Sequence, residues 1–280
     1  MNRLSDLSYC LFFNGDRGLE VLRLFNKKRF KITKVFIAKK FLKTEILRKI
    51  PKRINYKLIE KLDHPTIIKT LNNTDIALSC GFPLIFKKQI LNLPRIGFLN
   101  CHAGILPKYR GGSPLNWQLI NCENEFGISV IKINHKIDGG DIFSERKFII
   151  KKNYDINDLH KIANKNFPYM ILESVKKLLD KKKPRKQKKI SILWKQRKEE
   201  NSKFDFKTKT FKQADRFVKA LQSPYPNAFF YFKGIKYEIL KVIISKKKLK
   251  SGDILLKSNN MHLGLKNSTV KVKFKTIQLK

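Results

Sequence analysis

No stretch of this chain approaches the roughly 20 apolar residues that a bilayer-spanning helix needs. The opening residues 1–8 are followed by only five apolar or aromatic residues, 9–13, before Asn14, which is shorter than the apolar region of a secretory leader. A cytoplasmic protein with no membrane partner is therefore expected. Cysteine is scarce: Cys10, Cys80, Cys101 and Cys122 are widely spaced, without a C-x-x-C pair. That pattern argues against a zinc site or a disulfide framework, so no metal is expected and free buried thiols are. Acidic residues are also few, 22 Asp and Glu against 62 Lys and Arg, which leaves a formal net charge of +40. A basic surface suits nucleic acid, nucleotide phosphates or an anionic membrane. The lysines are spread along the chain, however, and only 181–198 is a dense basic run, so compositional drift explains the charge more simply.

What is present is a real core. Hydrophobic residues make up 42% of the 280, and 21 of them are Phe, which excludes a largely disordered chain. Short β-branched and apolar runs at 7–13, 31–38, 54–59, 75–80, 96–102, 127–133 and 142–150 read as strands. Helical patterns fall between them at 18–28, 64–73, 86–93 and 114–121. This alternation predicts an α/β, mostly parallel sheet covered on both faces. A long amphipathic helix spans 157–179, with Leu159, Ile162, Phe167, Met170, Ile171, Val175, Leu178 and Leu179 on one stripe. A lysine-rich segment with Pro184 follows as the natural boundary. After a helix at 209–222, strands come in quick succession between turns, which predicts a small OB-like β-rich module. The expected organisation is 1–180, a basic, solvated linker at 181–204, and a C-terminal domain at 205–280.

The chemistry-bearing residues cluster around the run Gly97-Phe-Leu-Asn100-Cys-His102. An amide and an imidazole two residues apart share one face of a strand, while Cys101 between them faces the other way. A Cys–His nucleophilic pair is thereby disfavoured. A loop with Pro107, Arg110, Gly111 and Pro114 follows, and Asp138 arrives after a second apolar run, ahead of Gly139 and Gly140. His135 and Asp141 are rival members of that segment. Each residue also has a duller reading: Asn100 as a turn cap, His102 as a hydrogen-bonded core histidine, Asp138 as an ordinary turn aspartate. Trp117 reads as core, and of the consecutive aromatics Phe229–Phe232 half should face inward.

Together these elements resemble the folate-dependent formyltransferase family, whose pattern is Asn-x-His, a Leu-Pro-x-x-Arg-Gly loop, a Pro and a later Asp-x-Gly. Here they stand as Asn100-Cys-His102, Leu106-Pro107-Lys-Tyr-Arg110-Gly111, Pro114 and Asp138-Gly-Gly140. Trp194, Arg197, Phe204–Phe206 and 216–228 are similar to the family's C-terminal half. The resemblance implies a Rossmann-like N-terminal domain and a formyl transfer from 10-formyltetrahydrofolate to a primary amine, with Asn100, His102 and Asp138 catalytic. It further implies that Gly81, Phe82, Pro83, Leu84 and Ile85, with Gly139, border the folate, the segment 81–85 acting largely through backbone groups. Arg110 and Gly111 would meet the acceptor's phosphate or the folate tail. The first turn, Asn14-Gly-Asp-Arg-Gly18, and the short, glycine-free region 39–53 depart from the methionyl-tRNA enzymes. Lys108-Tyr-Arg110-Gly111 and Pro114-Leu-Asn-Trp117 look closer to amino-sugar-nucleotide enzymes, so a sugar nucleotide is the expected small-molecule acceptor. The charge keeps initiator tRNA as the alternative. A formyl-folate hydrolase and a non-catalytic nucleic-acid-binding homologue are further alternatives, the last disfavoured by the polar trio. Oligomeric state is not legible.

Overall fold

The computed structural model describes residues 3–40, 42, 44–188 and 192–277. They form two compact units: one holds 1–110, 127–147 and 161–193, the other 111–126, 148–160 and 194–280. The first half of the chain supplies β1 (Ser8–Phe13), α1 (Asp16–Lys27), β2 (Lys31–Ala38), α2 (Thr44–Arg48), β3 (Tyr56–Ile59), α3 (Pro65–Asn72), β4 (Ile76–Cys80), α4 (Lys88–Leu91), β5 (Gly97–His102), α5 (Pro114–Ile120), β6 (Glu125–Lys132) and β7 (Ile142–Ile149). These seven strands make one sheet in the order β3-β2-β1-β4-β5-β6-β7. The first five are parallel neighbours, and β6 runs antiparallel to β5. The expected strands are all present. The helix expected at 86–93 shrinks to one turn, Lys88–Leu91, because Pro94 follows closely and Lys87 is still extended.

Alternation along the strands explains the two covered faces. Cys10 and Phe12 of β1 point into a cluster with Phe36, Ala77, Phe98, Ile67 and Leu71 of α3, and Ile90 of α4. Tyr9 takes the other face, edge-on to Phe25 of α1 at 4.8 Å between ring centroids. The long helix α6 (Ile156–Leu179) meets β7 through the Ser144 hydroxyl donating to Met170 O at 3.3 Å and Lys177 Nζ donating to Phe143 O at 2.9 Å. Pro168 lies inside this helix, where it forfeits one backbone bond without ending the element.

The starts of β1, β4 and β5 are clamped by Asp75. Its carboxylate accepts from Ser8 N–H (2.8 Å), from the Ser8 hydroxyl (3.0 Å) and from Arg95 Nε (2.6 Å), and its carbonyl accepts from Ile96 N–H at 2.9 Å. These bonds set the parallel register that brings the ends of β4 and β5 level, with Ser79 beside Asn100.

In the second unit, α7 (Phe211–Lys219) precedes β8 (Ala228–Phe232), β9 (Ile235–Ile244), β10 (Ile254–Lys257), β11 (Asn260–Gly264) and β12 (Thr269–Ile277). They form an antiparallel five-stranded sheet in the order β10-β11-β12-β9-β8. Phe229 and Phe230 are both buried rather than alternating, since the Lys236 ammonium lies over the Phe229 ring at 4.4 Å and Phe230 stacks on Tyr237. Trp117 is half-buried, not core: it packs on Trp194 at 4.8 Å, and Arg197 lies 4.9 Å from its ring.

Burial alone would raise the Asp75 carboxyl, but the bonds from Ser8 and Arg95 outweigh it and hold the group below the ordinary carboxylate range. A depressed value in the folded state contributes stability that is present above the unfolded value, about 3.9, and is lost as pH falls through the folded one. Asp75→Ala should therefore cost about 1–3 kcal/mol at neutral pH. The gap in urea midpoint between wild type and variant should close below about pH 4; a gap independent of pH would contradict the assignment.

Candidate functional site

The strand order reverses between β1 and β4, the place where an open α/β sheet offers a crevice beyond its carboxyl ends. Three chain segments reach that edge. From the turn after β1, Arg17 of α1 donates Nη1 to Cys101 O at 3.1 Å and lies 4.9 Å from the Phe167 ring. From β4 comes the segment 81–85, with Gly81, Pro83 and Ile85 exposed and Phe82 packed edge-on to Phe12 at 5.4 Å. From β5 come Asn100 and His102. Gly81 is next to Arg17, since a Cβ placed there would lie 3.7 Å from its Nη1.

The strand pattern accounts for the division of labour on β5. Phe98 belongs to the apolar core, and two and four residues on, the same face carries Asn100 and His102. Cys101 is on the reverse side, its sulfur 3.8 Å from that of Cys80. Burial and the neighbouring Cys80 push the Cys101 thiol well above its ordinary value, which makes it a poor nucleophile.

Asp138 closes on this face from the turn after β6. Asn100 Nδ2 donates to Asp138 Oδ1 at 3.4 Å, and His102 Nδ1 lies 3.4 Å from Asp138 Oδ2. The side chain of His102 is 5% exposed and that of Asp138 15%, so the cluster is screened but not sealed. The other imidazole nitrogen, Nε2, is 2.6 Å from Tyr109 O. A carbonyl can only accept, so Nε2 carries a proton, and Nδ1 faces the carboxylate. Gly104 permits that contact: a Cβ there would sit 2.7 Å from His102 Nε2 and 2.8 Å from Tyr109 O. The same loop is anchored by Ser129 of β6, whose hydroxyl donates to Gly104 O at 2.9 Å.

Of the remaining expected residues, Arg110 is buried and donates Nε to Gln187 Oε1 at 2.9 Å. Burial lowers its guanidinium from the ordinary value, and the charge of Asp138 opposes that shift. Gly139 follows Asp138 in the same turn, its N–H donating to Lys136 O at 3.1 Å. Gly111 lies in the second unit, bridged to Trp194. His135 is exposed, and Asp141 serves through its carbonyl, which accepts from Lys132 N–H at 3.0 Å. Sequence reasoning did not find Arg17, the Tyr109 carbonyl or Gln187. Arg17 had a signal, a basic residue in the first turn of the fold, whereas Tyr109 acts through its backbone carbonyl and Gln187, whose side-chain amide binds backbone carbonyls, stands among lysines. Two grooves of about 530 and 670 Å³ flank α3, one lined by Lys39, Lys57 and His64, the other by Lys34, Thr66 and Lys69; neither reaches the trio. Among the described residues no group of three or more His, Cys, Asp or Glu could hold a metal ion.

A family model described as "Formyl transferase" matches residues 35–175, and one described as "Formyl transferase, C-terminal domain" matches 197–280. The chain belongs to the formyl transferase family. It is 30% identical to the bifunctional polymyxin resistance protein ArnA of Wigglesworthia glossinidia brevipalpis over 84% of this chain and 35% of that protein. It is 26% identical to the methionyl-tRNA formyltransferase of a Wolbachia species from Drosophila simulans over 70% of this chain and 63% of that one. The chain thus spans less than two thirds of the length of these curated relatives. Its fold matches the N-formyltransferase from Helicobacter canadensis, solved with folinic acid and dTDP-3-aminofucose, at a TM-score of 0.69 and 18% identity, over 96% of this chain and all of that one.

Because Gly104 leaves room for the His102–Tyr109 bond, Gly104→Ala should displace the imidazole. The rate of any reaction run at this face is expected to fall about a hundredfold, the usual cost of a misplacement near 1 Å, with a stability loss of about 1–3 kcal/mol. Unchanged turnover in the purified variant would show that the bond does not position the ring.

Proposed function

We propose that this chain transfers the formyl group of 10-formyltetrahydrofolate to a primary amine, that of a nucleotide-linked amino sugar. The observation that carries the reading is the convergence of Asn100, His102 and Asp138 within 3.4 Å contacts at the carboxyl end of the sheet. Formyl transfer needs a donor for the oxygen that becomes negative, a base for the proton of the attacking amine, and an orienting charge between them. Asn100 carries two amide protons; one is directed at Asp138, and the other is the donor for the formyl oxygen. The amine attacks the formyl carbon, and Asp138 takes the amine proton while the Nε2 bond to Tyr109 O holds the His102 ring beside it. Collapse of the tetrahedral intermediate breaks the formyl bond to N10, which takes up that proton and leaves as tetrahydrofolate. No covalent enzyme intermediate is required. The segment 81–85 with Gly139 borders the folate, and Arg110 and Gly111 bind the acceptor or the folate tail. On this reading 1–180 is the catalytic domain, 181–204 the linker and 205–280 the OB-like module of a cytoplasmic enzyme.

The acceptor reading is supported by the short, glycine-free region 39–53. Folinic acid and dTDP-3-aminofucose on the same fold in the Helicobacter protein give it a precedent. A second reading, transfer to initiator methionyl-tRNA, is favoured by the +40 charge and by the Wolbachia relative.

Purified protein with 10-formyltetrahydrofolate should release tetrahydrofolate when given dTDP-3-aminofucose or another nucleotide-linked amino sugar. Turnover only with methionyl-tRNA, falling steeply between low and physiological salt, would replace the first acceptor by the second. Asn100→Ala, His102→Ala and Asp138→Asn should each lower the rate at least about a hundredfold. Near-normal turnover in all three would reject formyl transfer at this site.

A further inference from the structure

The geometry points to Gln187 as a positioning residue that fixes Asp138 opposite His102 from within the lysine-rich segment that follows the long helix. The inference rests on the reading of Asp138 as the group that takes the amine proton. By sequence, 181–198 is a basic, solvated connection. In the structure, part of it returns to the edge of the sheet. Arg185 and Ile142 exchange backbone hydrogen bonds, both 2.9 Å, and the Arg185 guanidinium donates to Glu145 at 2.7 Å. This bridge anchors the backbone two residues before Gln187.

The Gln187 amide then meets the turn that carries Asp138. Its Nε2 donates to Asp138 O at 2.8 Å and to Gly140 O at 2.6 Å, and its Oε1 accepts from Arg110 Nε at 2.9 Å. Both amide protons and one lone pair are thus engaged. The intervening carbonyl, Gly139 O, accepts from Asn134 Nδ2 at 3.1 Å, so three successive carbonyls of the turn each receive a side-chain amide N–H. The turn needs such support. Asp138 holds the left-handed conformation (φ 45°), unusual for a residue with a side chain, and Gly140 is pressed so close to β6 that a Cβ there would fall 1.7 Å from Lys132 O. The Asp138 carboxylate contacts to Asn100 and His102 are long, both 3.4 Å. Gln187 supplies the restraint through the backbone of Asp138 and joins it to Arg110, the other expected ligand-facing group. It touches neither Asn100 nor His102 in any contact of the site, so it acts through Asp138 and is not itself catalytic.

Glutamine is suited to this task and glutamate is not. A carboxylate would keep the acceptor for Arg110 but turn an oxygen toward two carbonyl oxygens. The test measures tetrahydrofolate release from 10-formyltetrahydrofolate with dTDP-3-aminofucose and with initiator methionyl-tRNA, using whichever is turned over. Gln187→Ala should lower kcat about 10- to 100-fold, leaving KM for the folate within about twofold. Gln187→Glu should not rescue it, and Gln187→Ala placed on Asp138→Asn should cost nothing further. Unchanged kcat, full activity of Gln187→Glu, or an equal loss in both backgrounds would overturn the proposal. A harmless Asp138→Asn would instead strike at the reading of Asp138 itself. A crystal structure of Gln187→Ala gives a readout independent of turnover. The 138–140 turn should shift and the Asp138–His102 contact open; an unmoved turn overturns the proposal whatever the rates.

Discussion

His102 has both ring nitrogens engaged at the end of a buried strand, one against the Tyr109 carbonyl at 2.6 Å and one against the Asp138 carboxylate at 3.4 Å. The first contact decides where the ring proton resides, and the second sets the carboxylate against the other nitrogen. An imidazole so held cannot rotate to suit a ligand; the ligand must come to it. Around that constraint the surroundings make physical sense: a glycine where a Cβ would break the first contact, a serine anchoring the same loop, and a turn brought in from β6 to deliver the carboxylate.

The sheet exists to bring these groups to one edge. Asp75 sets the level at which β1, β4 and β5 begin, which fixes where β4 and β5 end. Beyond those ends the chain is released into irregular segments whose side chains are free to face a ligand. The apolar core under Phe98 is the same face that becomes polar at Asn100, so the transition from packing to chemistry takes two residues. That short distance is why the cluster stays screened without being sealed.

Much of this was legible in the sequence because period-2 patterning and the spaced motif carry independent information. Asn100 and His102 on one face, and Cys101 on the other, follow from alternation alone. That Asp138 would join them needed the family pattern, because nothing in the intervening 35 or so residues encodes a register. The features that escaped share a cause. Tyr109 and the 138–140 turn take part through backbone carbonyls, which every residue possesses, so no residue type advertises them. Gln187 was hidden among lysines, where charge suggested solvent. Its anchoring depends on the Arg185 bridge to Ile142, a contact across 43 residues of chain that composition cannot express. The single-turn helix at Lys88–Leu91 fell short because proline punctuation outweighed an apolar pattern of the right period.

On the proposed function, the formyl carbon is delivered to the face shared by Asn100, His102 and Asp138. The most direct measurement is a crystal structure of the protein with 5-formyltetrahydrofolate, a donor analogue that does not transfer. The pterin should lie against 81–85 and the formyl oxygen within about 3.2 Å of Asn100 Nδ2. A pterin bound elsewhere, for instance in the lysine-lined groove beside α3, with the formyl group remote from this trio, would contradict it.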